Sequence, residues 1–206
     1  MNGRRARGFT LIELLVAIGI LALVAVLGWR GLDGIVRARA ALTAQMEQTR
    51  GMQLAFAQMQ TDCEHLAGNG SGALLNQRPN LAADTNRLTL VRTVFGENQA
   101  MQLQVVSYRI VDGVLTRRES SPVRDLVQLD VQWQAALGDS DASTTPVVLQ
   151  RALAGMVVRI WDGAGWSVLT TAAATKQQST NTGLEVALQL EGQETSLIKV
   201  FLLGAV

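Results

Sequence analysis

Phe9-Thr10-Leu11-Ile12-Glu13-Leu14-Leu15-Val16-Ala17-Ile18-Gly19-Ile20-Leu21-Ala22-Leu23-Val24-Ala25-Val26-Leu27-Gly28-Trp29 is apolar at nearly every position. As a helix rising about 1.5 Å per residue it spans roughly 30 Å, the hydrocarbon thickness of a bilayer. Arg4, Arg5 and Arg7 precede the run and only Arg30 follows it directly. That asymmetry places the N-terminus on the cytoplasmic side and the rest of the chain outside the cytoplasm. A cleaved secretory signal fits poorly, because its apolar core is shorter and ends at a small-x-small site. The nearest such site beyond the run is Ala38-Arg39-Ala40, inside a continuing helical pattern.

A single carboxylate, Glu13, interrupts the run. An acid at this depth costs several kcal/mol unless it is paired or protonated, so it marks a functional position. If the chain were cut after Gly8, the new α-amine on Phe9 would lie one helical turn from Glu13 on the same face, where the two charges neutralise each other.

The order Arg7-Gly8-Phe9-Thr10-Leu11-Ile12-Glu13 followed by apolar residues Leu14 to Leu27 resembles the class III prepilin signal. The resemblance implies that residues 1–8 are a leader removed between Gly8 and Phe9 by an aspartic prepilin peptidase of the inner membrane. It also implies N-methylation of Phe9 and docking of Glu13 on a neighbour's N-terminal amine. Where major pilins carry a helix-kinking proline this chain has Arg30, flanked by Gly28, Gly31 and Gly34. Those glycines make this stretch the place where the helix is expected to loosen.

Over residues 30–67 an amphipathic continuation is expected. Leu42, Met46, Met52, Phe56, Met59, Cys63 and Leu66 recur at three- and four-residue spacing, ending at Gly68-Asn69-Gly70-Ser71-Gly72. Residues 73–206 then read as a β-rich head. Arg87–Phe95, Met101–Val111 and Val114–Arg118 are strands, the last two joined by the hairpin pair Asp112-Gly113. Leu126–Trp133 reads as a further strand, followed by a polar loop from Gly138 to Thr145. Met156–Trp161 and Trp166–Leu169 flank Asp162-Gly163-Ala164-Gly165, and Leu184–Leu190 pairs with Ser196–Leu203. The fold class is α+β and pilin-like: a long N-terminal helix, transmembrane in its first half, packed on an antiparallel sheet.

The head resembles the J-type minor pseudopilin of type II secretion (general secretion pathway protein J). The resemblance rests on Trp29-Arg30-Gly31-Leu32-Asp33, on Val157-Val158-Arg159-Ile160-Trp161-Asp162-Gly163 with Trp166, and on Gly183-Leu184-Glu185-Val186-Ala187-Leu188 paired with Ile198-Lys199-Val200-Phe201-Leu202. It implies a structural subunit at the tip of the pseudopilus, anchored once in the inner membrane with a periplasmic head. The implied partners are the I- and K-type minor pseudopilins, the major pseudopilin and the inner-membrane assembly platform. A minor pilin of a type IV pilus is the alternative.

Other chemistry is weakly signalled. The 18 basic and 17 acidic residues leave no basic footprint for nucleic acid. Removing the three leader arginines leaves 15 basic against 17 acidic side chains. Cys63 and His65 lack further Cys or His partners, so a packed cysteine beside a surface histidine is expected rather than a metal site. Asp139-Ser140-Asp141 lacks the later glycine and glutamate of a calcium loop. Trp133, Trp161 and Trp166 sit at strand positions, and Trp161 is expected in the core. No serine, histidine and acid set suggests nucleophilic catalysis, and no cofactor is implied.

Overall fold

A computed structural model describes residues 10–68, 73–76, 78–96, 100–138, 144–169 and 181–204. The chain divides into two units, one up to Glu47 and the other from Gln48 onward. One helix, α1 (Leu11–Glu64), belongs to both. It runs without interruption through Gly28, Gly31 and Gly34, so the expected loosening is not seen. With no proline, every backbone N–H remains available to the helical ladder, and Arg30 and Leu32 between the glycines are good helix formers that offset part of their cost.

In the first unit, every residue from Thr10 to Glu47 is exposed to its surroundings. The large apolar side chains from Leu11 to Trp29 are 53–80 % accessible, so nothing among the described residues covers them. A helix apolar all round and left uncovered in this way requires lipid or other helices as its solvent.

In the second unit, α1 buries Met52, Ala55, Met59, Asp62 and Cys63. The packed face therefore begins at Met52. Leu42 and Met46, which share the spacing, remain exposed. The helix also ends earlier than the glycine cluster suggested. Leu66 forms an antiparallel bridge with Arg92, and the backbone N–H groups of Ala67 and Thr93 bond to the carbonyls of Val91 and His65 at 2.8 and 2.9 Å. Strand-type pairing with the sheet takes over before the glycines are reached. Near the other end of the chain, the N–H of Gly204 caps the Cys63 carbonyl at 3.0 Å.

The head contains two antiparallel sheets. The first has the order β1 (Leu81–Asp84), β2 (Arg87–Val94), β3 (Gln102–Val111), β4 (Val114–Glu119), β5 (Val147–Gln150). The second has the order β7 (Trp166–Val168), β6 (Leu153–Trp161), β8 (Gly183–Leu190), β9 (Ser196–Leu202). Asp112 and Gly113 both take positive φ, +50° and +72°, as a type I′ turn between β3 and β4 requires. Strands β1 and β5 had no sequence forecast, being short and, in β1, alanine-rich.

The segment expected as a strand from Leu126 to Trp133 is helix α2 (Leu126–Gly138). Its buried residues Leu129, Trp133 and Ala136 keep helical spacing, while Val127 and Val131 point outward at 66 % exposure each. Asp125 caps it, accepting from the Val127 N–H at 2.8 Å. The apolar alternation Val127, Leu129, Val131, Trp133 had suggested a strand; the 3.6-residue set is the one that finds a core.

The first sheet is covered on both faces. One face joins the second sheet and α1 in a core that includes Met59, Leu88, Tyr108, Ile160, Leu188 and Phe201. The other packs Val91, Leu103 and Val105 on Leu129 and Trp133 of α2. Double coverage explains why Leu88, Thr89, Leu90 and Val91 are buried consecutively rather than alternately. Asn86, at φ +59° in the β1–β2 turn, links the sheets by accepting the Met156 N–H on β6 at 2.8 Å.

Candidate functional sites

Thr10 and Glu13 open α1 as a reciprocal cap. The Thr10 N–H and hydroxyl both donate to the Glu13 carboxylate, at 3.0 and 2.9 Å, and the Glu13 N–H reaches back to the Thr10 oxygen at 3.4 Å. Thr-x-x-Glu is a capping box, a signal the sequence reading passed over in favour of the membrane argument. Arg4, Arg5, Arg7, Gly8 and Phe9 lie outside the described residues. Beyond the first apolar run, Leu32, Ile35, Val36, Leu42 and Met46 stay 58–67 % exposed along the same helix, so its upper half also offers apolar side chains to neighbours.

The head conceals an ion cluster that sequence reasoning missed. Asp62, with no accessible surface, lies within the last turn of α1, where the helix dipole disfavours an acid. Two guanidiniums answer it. Arg117 on β4 donates through Nε at 2.8 Å and Nη2 at 3.1 Å, and Arg92 on β2 through Nη1 at 2.7 Å. The Tyr108 hydroxyl on β3 donates to the same carboxylate. Glu119 accepts from Arg117 at 2.6 Å, giving a cluster of two acids and two bases. Gln104 accepts from Arg92 at 3.0 and 2.8 Å and passes its own amide to the Ser120 carbonyl at 2.7 Å. Burial and the nearby Asp62 carboxylate push the Tyr108 hydroxyl well above its ordinary range, so it remains a donor. Burial opposes the charge on Arg117, yet its bonds to Asp62 and Glu119 hold it protonated more firmly than usual. Such a set serves to lock α1 in one register against three strands, with Asp62, Tyr108 and Arg117 buried and only Glu119 reaching the surface. The available signal was an aspartate at a core-facing spacing, three residues after Met59.

Cys63 is fully buried, as expected, and burial with Asp62 and Glu64 nearby raises its thiol to about 12. His65 Nδ1 lies 2.8 Å from the Thr61 carbonyl. Among the described residues no three His, Cys, Asp or Glu side chains group as metal ligands. Asp139-Ser140-Asp141 falls outside the described residues. Trp133 is core, though from a helix rather than a strand. Trp161 is only half-buried, its ring 5.5 Å from that of Trp166 at the end of a sheet. It lies on the outward face of β6, opposite the side carrying Val158 and Ile160. In the turn between them Asp162 accepts the N–H groups of Ala164 and Gly165, both at 2.9 Å, which holds its carboxyl below the usual range.

Residues 3–29 match the sequence model of the family described as prokaryotic N-terminal methylation motif. Residues 30–202 match that described as type II secretion system (T2SS), protein J. Among curated proteins, none matches the chain.

Proposed function

Because the chain belongs to the type II secretion system protein J family, in which it is a minor pseudopilin anchored in a membrane, we propose that it sits at the pseudopilus tip and supports protein export across the outer membrane. Peptidase cuts between Gly8 and Phe9, Phe9 is methylated, and the N-terminus faces the cytoplasm while the head lies in the periplasm of a cell whose inner membrane holds the anchor. The carrying observation is the exposure of α1 from Leu11 to Trp29, an apolar surface that only lipid and neighbouring helices can cover. After cleavage Glu13 exchanges its Thr10 contacts for an N-terminal amine of its own or a neighbouring chain, which orients docking. The I- and K-type minor pseudopilins, the major pseudopilin and the assembly platform are the partners. The protein acts by packing and presentation rather than by catalysis. The match to protein J across residues 30–202 favours type II secretion over a type IV pilus.

Mass spectrometry of the protein from a host with prepilin peptidase tests the processing step: the expected N-terminus is a methylated Phe9, and one at Met1 or Ala41 refutes it. Glu13→Leu should insert and be cut normally while losing co-purification with the I- and K-type subunits. Secretion at the wild-type level by this variant would remove the role assigned to Glu13.

A further inference from the structure

The outward faces of the two sheets are treated differently. Helix α2 packs on that of the first, whereas no described residue covers that of the second, although it is apolar. The register sets Val157 on β6, Ala187 on β8 and Ile198 on β9 in one row, and Val168 on β7, Arg159, Glu185 and Val200 in the next. Leu202 stands at the end of β9, in the row of Trp161 and Trp166. Val157, Val168, Ile198, Val200 and Leu202 are each 51–67 % exposed. An antiparallel sheet with one solvated face ordinarily alternates apolar residues inward with polar ones outward, yet β6 and β9 carry apolar residues on both sides. The patch is on the order of a few hundred Å², the size at which exposed apolar surface marks an interaction site.

One end of this face is filled by the chain's own aromatics. Trp166 reaches across β6 until its indole lies 3.4 Å from where a Cβ on Gly183 would stand, so the tryptophan pair covers that glycine. In the middle of the remainder Arg159 donates through Nη1 to Glu185 at 3.1 Å, its one bond among the described residues. The Arg159 side chain is 44 % exposed against 14 % for Glu185, so the charge this face presents is positive. A guanidinium ringed by apolar side chains is the composition of an interface anchor. A second copy laid face to face about a two-fold axis would bring Arg159 against its own equivalent, and such like-charge opposition disfavours that complex. The area also falls short of the roughly 800 Å² per partner of a stable free-standing complex. It suits a partner already held nearby by another contact, for which a modest patch suffices. On the reading that α1 anchors this chain among other pseudopilins, we propose that the outward face of the second sheet receives the head of a different pseudopilin, one that brings an apolar surface with a carboxylate at its centre for Arg159.

Photo-crosslinking of the full chain, in membranes of a host that makes the whole secretion system, tests the proposal. The crosslinker p-benzoylphenylalanine in place of Val157 or Leu202 should capture the I- or K-type subunit, identified by mass spectrometry. Ile198→Asp and Arg159→Gln should each lower that yield at least about tenfold, the scale on which loss of an interface anchor acts. Val127→Asp, on α2 and 66 % exposed, should leave it unchanged. Both Ile198→Asp and Val127→Asp should melt as the wild type does, since each alters an exposed side chain. A clearly lower melt for Ile198→Asp would mean that this face is covered within the chain, and would overturn the proposal. The same crosslinker in place of Leu42 on α1 reports the helix contacts separately. Capture from Leu42 together with only a second copy, an exported protein, lipid or nothing from Val157 and Leu202 overturns the docking face and leaves the pseudopilin reading standing. No pseudopilin captured from any of the three positions overturns both.

Discussion

Asp62 stabilises the head only in company. Removing its carboxylate leaves Arg92, Arg117 and the Tyr108 hydroxyl facing a cavity, so Asp62→Ala should cost about 3–5 kcal/mol, the range for breaking a buried ion pair from one side. Tyr108→Phe deletes one hydrogen bond to a charged group and should cost about 1.5–3 kcal/mol. Combining Asp62→Ala with Arg117→Ala should cost much less than the sum of the two, and additive losses in urea unfolding would show that the pair is not coupled. Cys63 supports a second prediction. A buried thiol raised to about 12 should resist iodoacetamide in the folded head and react once denaturant opens it. Since its folded pKa lies above its unfolded value, the stability it lends is complete below the ordinary thiol range and fades as pH rises toward about 12. Alkylation of native protein at neutral pH would contradict the packing. Of these residues, only Cys63 was legible in the sequence as a packed side chain. Asp62 was hidden because a lone aspartate among exposed glutamines and glutamates has no mark of burial until its arginines arrive from strands 30 and 55 residues away.

Elements carrying a strong local signature were readable: the apolar run of α1, the Asp112-Gly113 turn and the strands around it. Segment 126–138 was not, because Val127 and Val131 favour strands and alternate with Leu129 and Trp133. Asp125 before it and Gly138 after it were the overlooked helix signals. The β1–β2 turn shows how an element can depend on one polar side chain. Asn86 tolerates positive φ and supplies the acceptor for Met156, so Asn86→Gly keeps the backbone but loses the bond. Asn86→Ala adds strain to that loss and should be the more damaging, by roughly 1 kcal/mol. Thermal melts in which Asn86→Ala equals Asn86→Gly would show that the positive φ carries no cost there.

At the scale of the whole molecule, the division into two units mirrors two different surroundings for one helix: an exposed surface along residues 10–47, a folded core from Gln48 onward. Charged substitution of Leu42 or Met46, both exposed, should leave the melting temperature of the head nearly unchanged. It should reduce co-purification with the I- and K-type subunits. A head destabilised by either change would mean that these side chains pack at home rather than on neighbours. The continuity of α1 has a mechanical consequence. Any pull on the anchor travels along an unbroken ladder of hydrogen bonds and reaches the head beside the chain's own tail, where Gly204 grips the carbonyl of Cys63 and two arginines grip Asp62. Tension would therefore fall on several bonds at once, so the end of α1 is held as a multi-point clamp rather than as a bead on a tether.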